Sequence, residues 1–116
     1  MELNECIERE RTNPGRVFLY LEGETLRAYE LSAYIAKQCF PQLRFSTIID
    51  RTCGMRLMTV VIGVETMLEC TQFPLAVNDK FCEMTLPEAT HSMRLQWKVD
   101  FSTLKEEYAH CKTEYV

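Results

Sequence analysis

The stretch Glu22–Pro41, E-G-E-T-L-R-A-Y-E-L-S-A-Y-I-A-K-Q-C-F-P, limits what this chain can fold into more than any other. Leu26, Tyr29, Leu31, Ala33, Tyr34, Ile35, Ala36, Cys39 and Phe40 form a broad apolar stripe at helical spacing. Gly23 interrupts the apolar run before it, and Pro41 ends it. Glu24 places a carboxylate on the first turn, where unpaired N–H groups and the macrodipole favour negative charge. The pattern predicts one long helix. With one apolar run before it and two after it, such a helix is expected to lie across a sheet.

The flanking segments supply that sheet. Leu3, Cys6 and Ile7 predict a short amphipathic N-terminal helix, and Thr12–Gly15 a turn. Arg16–Leu21, R-V-F-L-Y-L, reads as a strand. L-R-F-S-T-I-I-D and M-R-L-M-T-V-V-I-G flank R-T-C-G and predict a hairpin turning at Arg51–Gly54, with Asp50 opposite Met55. That register puts Leu43, Phe45, Thr47, Ile49, Met58, Val60 and Ile62 on the core side, with Arg56 near its rim. Arg44, Ser46, Ile48, Asp50, Met55, Leu57, Thr59 and Val61 face the other way.

Val64–Phe73 predicts a short helix stopped by Pro74, and Phe81–Leu86 a strand. In Met93–Asp100, Met93, Leu95, Trp97 and Val99 alternate with polar residues, which predicts a further strand. Thr103 and Glu106 have capping-box spacing at the start of a last helix. Arg16–Leu86 thus reads β-α-β-β-α-β. The expectation is a single α+β domain over residues 1–116: a ferredoxin-like core, an additional C-terminal strand and helix, and a short N-terminal helix.

Composition narrows the function. Thirteen basic against seventeen acidic residues give a net charge of −4, which opposes general affinity for nucleic acid backbone. No apolar run reaches the ~18 residues of a membrane span, and the N-terminal residues are charged, so a cytoplasmic protein without membrane contact is expected. The six cysteines contain no C-x-x-C pair and there are only two histidines, which favours reduced thiols and no metal or other cofactor. No catalytic residue stands out. Ser32 has no G-x-S-x-G turn around it and reads as a small residue on the long helix, where Arg27 and Glu30 would pair on the solvated side.

The sheet face away from the two core helices would present Phe18, Tyr20, Ile48, Met55, Leu57 and Val61. Such an apolar surface is either covered by a terminal helix or is an interaction site. The expected function is a non-catalytic interaction or accessory protein. It would bind a second copy or a protein partner through Phe18, Tyr20, Ile48, Leu57 and Val61, with Arg44, Arg51 and Arg56 at the rim. One alternative is a single-stranded nucleic-acid-binding module, since V-F-L-Y-L resembles the first-strand motif of RNA recognition modules, although the third strand carries no aromatic residue. Another is a small cysteine-dependent enzyme using Cys53 or Cys82 against His91 or His110. The phrase Glu22-Gly23, Arg27-Ala28-Tyr29-Glu30, Ser32-Ala33 resembles one in small uncharacterised Bacteroidetes proteins, some encoded beside reverse transcriptases of mobile or diversity-generating elements. That resemblance implies an accessory protein acting by binding, with no catalytic residues to carry over.

Overall fold

In the computed structural model, which describes residues 3–51 and 54–110 with side chains to residue 107, Arg16–Tyr29 forms a tight hairpin. Strand β1 (Val17–Glu22) pairs antiparallel with β2 (Thr25–Tyr29), Glu22 lying opposite Thr25. Gly23 opens the two-residue turn at φ +63°, a value that a II′ hairpin turn requires and that glycine adopts without steric cost. The first part of the expected long helix is therefore a strand. Only Glu30–Cys39 is helical (α2), and it buries Leu31, Ala33, Ile35 and Ala36. Over five residues the two periods are nearly degenerate: Leu26 and Ala28 turn inward at strand spacing, whereas Leu26 and Tyr29 had suggested a helix. Pairing decides between them, because β2 lies between β1 and β4 (Arg56–Gly63) and satisfies its backbone on both sides.

Strand β3 (Ser46–Ile49) pairs with β4 in the expected register, Ile49 opposite Arg56, and the N–H of Asp50 donates to the carbonyl of Met55 at 2.8 Å. Residues 52 and 53, in the middle of that turn, lie outside the described residues. Two short strands, β5 (Leu75–Val77) and β6 (Cys82–Met84), complete a six-stranded antiparallel sheet of order β3-β4-β2-β1-β6-β5. Val17–Leu19 of β1 pair with β6, whereas Tyr20–Glu22 pair with β2, so β1 serves one neighbour with each half.

The α+β class holds, but the element order does not follow β-α-β-β-α-β. The strands and core helices run β-β-α-β-β-α-β-β-α, and what remains of the expected unit is a split β-α-β, with β4 between β2 and β3 and α2 as the crossover. Residues expected as the C-terminal strand belong instead to a 20-residue helix, α4 (His91–His110). Arg94, Trp97, Phe101 and Leu104 are half-buried at helical spacing, while Met93, Leu95 and Val99 are exposed. Thr103 and Glu106 are interior to α4 and cap nothing; Thr90 caps instead, accepting from the N–H of Met93 at 3.1 Å. At Gly15 the helix passes so close that a Cβ would lie 2.6 Å from Cβ of Arg94.

Two layers of side chains fill the molecule. On one sheet face Val17, Leu19, Leu26, Ala28, Val60, Ile62 and Met84 pack against α2, with Trp97 and Phe101 of α4 beside them and Met67 of α3 (Val64–Glu69) included. On the opposite face Phe18, Tyr20 and Tyr29 lie against Cys6 of α1 (Leu3–Arg11), with Leu3, Ile48 and Phe81 at the margin. The N-terminal helix is thus the cover.

Candidate functional site

The expected partner-binding surface is largely internal. Phe18, Tyr20 and Leu57 are 7%, 1% and 0% exposed, Ile48 is half-buried, and Val61 alone of the five is open, at 38%. Arg9 helps to hold α1 down. Its guanidinium donates to the Tyr20 hydroxyl at 2.8 Å and lies 4.2 Å from the centroid of Phe81, which meets Phe18 edge-on at 5.2 Å. Burial pushes the Tyr20 phenol up to about 12 despite the Arg9 hydrogen bond. Buried in this way, Phe18 and Tyr20 offer no stacking platform for bases.

The rim arginines do not form one patch. Arg44 and Arg51 are exposed at opposite ends of β3, whereas Arg56 is half-buried, starts β4 and has its carbonyl held by Lys105 at 2.7 Å. Cys53 lies outside the described residues, as does the side chain of His110. Cys82 is a half-buried thiol pushed up by burial, and His91 is exposed at the start of α4. Among the described residues no three His, Cys, Asp or Glu side chains gather as a metal site would require.

The polar residues of the Glu22–Ala33 phrase have structural partners. The Glu22 carboxylate accepts from Arg27 at 3.0 Å and from the Tyr29 hydroxyl at 3.2 Å, so Arg27 pairs across the hairpin and not with Glu30. Glu30 joins β2 to α2 with φ +53°, a left-handed conformation that costs a non-glycine residue of order 1–3 kcal/mol. Its carboxylate accepts from Lys105 at 2.8 and 3.1 Å and from the N–H of Met58 at 3.0 Å. Ser32 is fully buried. Its hydroxyl donates to Glu10 at 2.5 Å and accepts from the N–H of Phe18 at 2.9 Å, which gives it a cross-linking role between α1, β1 and α2.

The space for a ligand lies elsewhere, in a cavity of about 490 Å³ where the end of α2, the segment after α3, the loop after β6 and the first turns of α4 meet. Cys39, Phe73, Leu86, Met93 and Trp97 supply its apolar wall, and Gln38, Gln72 and Glu88 its polar groups. Phe40 braces the wall from behind through an edge-on contact with Phe73, centroids 5.7 Å apart. Burial, with Cys70 adding to it, pushes the Cys39 thiol up to about 11, so Cys39 is a neutral wall residue and a poor nucleophile. A smaller cavity of about 230 Å³ opens beside Glu10, Glu30, Lys98 and Phe101, but Glu10 and Glu30 are already engaged by Ser32, Asn13 and Lys105.

Sequence spacing missed the larger cavity because its wall comes from four separated segments. The one available signal was Trp97, the sole tryptophan, on an inward-facing set. Among the described residues no helix is long and apolar enough to cross a membrane. Set against protein-family models, curated proteins and solved structures, the chain finds no match in any of the three comparisons.

Proposed function

We propose that this chain is a non-catalytic binding protein whose site is the cavity walled by Trp97, Phe73 and Leu86. The observation that carries this is the cavity itself. Its volume of about 490 Å³ falls within the usual range for small-molecule sites, and its wall is mainly apolar with a few polar groups. The sheet face expected to bind is covered by α1, which supports a site on the other side of the sheet. An accessory role exercised by binding is also what the resemblance of the Glu22–Ala33 phrase implies.

The sole tryptophan makes the test direct. Trp97 fluorescence should change saturably as cyclohexylmethanol, a non-fluorescent apolar probe, is titrated into the protein. Ala89→Leu, which adds volume at the cavity wall, should abolish the change while the far-ultraviolet circular dichroism stays the same. A response that stays linear in probe concentration, or is untouched by Ala89→Leu in a folded variant, would count against the site.

A further inference from the structure

Building on the binding site just described, we infer that its occupant is a small apolar cation, an alkyl- or arylalkylammonium with its hydrocarbon part against Trp97 and Phe73. Among the described residues, Glu88 is the only charged side chain in the cavity wall. Gln38 and Gln72 add carboxamide oxygens that accept from an ammonium group. Trp97 and Phe73 add aromatic rings to the wall, and the face of such a ring attracts positive charge.

The basic residues adjacent in sequence to the wall are placed elsewhere, and Lys98, beside Trp97, lines the smaller cavity. Lys37, beside Gln38, donates to the carbonyls of Pro41 and Leu43 at 3.0 and 2.7 Å, and Arg94, beside Met93, donates to the carbonyl of Gly15. The start of α4, near the cavity, would favour an anion, but Thr90 already accepts from the Met93 N–H there. Among the described residues, the wall holds no cationic side chain to meet a carboxylate or phosphate. The electrostatics therefore select positive charge, while the apolar wall selects hydrocarbon.

Three probes of one shape separate this inference from the site on which it rests. Cyclohexylmethylammonium, cyclohexylmethanol and cyclohexanecarboxylate are titrated at low ionic strength, with Trp97 fluorescence as the readout. The ammonium should bind about fivefold tighter than the alcohol, as an ion pair and a cation–π contact together provide, and the carboxylate weakest. Glu88→Gln, an exposed position where folding is not at risk, should reduce the ammonium preference to the smaller part that the aromatic rings provide, without weakening the alcohol. Equal binding of ammonium and alcohol to the unaltered protein, tighter binding of the carboxylate, or an ammonium preference undiminished by Glu88→Gln would overturn the inference and leave the cavity as a site. Saturable binding by none of the three would overturn both.

Discussion

Glu10 carries a carboxylate from α1 into the first turn of α2, where it does the work of a missing cap. Tyr29 precedes that helix and makes no side-chain capping bond, and the N–H of Ser32 donates instead to Glu10 at 3.0 Å. Burial pushes the Glu10 carboxyl up to about 7 even though Ser32 and Asn13 donate to it, and Glu30 adds to the rise. A carboxyl raised in the fold binds its proton more tightly there than in the unfolded chain. Its contribution is therefore complete below about 4.5 and is lost as pH climbs through about 7. The protonated form fits the site, since the Ser32 hydroxyl can turn to the Arg16 carbonyl at 3.2 Å and accept from Glu10. Urea unfolding of the wild type and Glu10→Gln across pH 4.5–8 should give stabilities whose difference changes by on the order of 3 kcal/mol over that window, the wild type losing ground as pH rises. A pH-independent difference would refute the account. None of this was legible at position 32, because a local pattern cannot show that a residue twenty-two positions earlier folds back onto it.

Among the elements, the β3–β4 hairpin was readable to the residue pair and α4 was not, for the same physical reason. In the hairpin the apolar alternation of Met58, Val60 and Ile62 agrees with the ladder that forms, so pattern and pairing select one register, although Thr47 and Ile49 of the edge strand, expected on the core side, are exposed. In M-R-L-Q-W-K-V-D the alternation is equally regular, yet Arg94, Trp97 and Phe101 also satisfy the helical period, and packing against α2 selects that set. The alternation of Phe18 and Tyr20 onto the second face was legible too; that α1 would close it was one of two open outcomes. Two variants distinguish a covered face from a binding face. Phe18→Ala should lower unfolding stability by about 3–4 kcal/mol, as a buried ring lost from a core does, whereas Val61→Ala should cost less than about 1 kcal/mol. Equal, small losses would mean that α1 does not seal the face as described.

At the scale of the molecule, the cavity under Trp97 could not have been located from the sequence, since it exists only once α2, the α3–β5 segment, the β6–α4 loop and α4 have met. The sheet has a similar global property. Because β1 gives Val17–Leu19 to β6 and Tyr20–Glu22 to β2, two ladders are joined in series and not side by side along one full-length strand. Three residue pairs connect the short β5–β6 ladder to the rest, while β2 and β4 share five. A sheet spliced in this way has a seam, and the cooperative units of native-state opening should follow it. Backbone amides in Leu75–Val77 and Cys82–Met84 should exchange with deuterium together, through a partial unfolding cheaper than the global one that releases Leu26–Ala28 and Val60–Ile62; identical protection on both sides would mean that the sheet opens as one piece. Leu86 and the loop that continues into the Trp97 cavity follow directly from β6, so an opening at the seam would also loosen that part of the cavity wall.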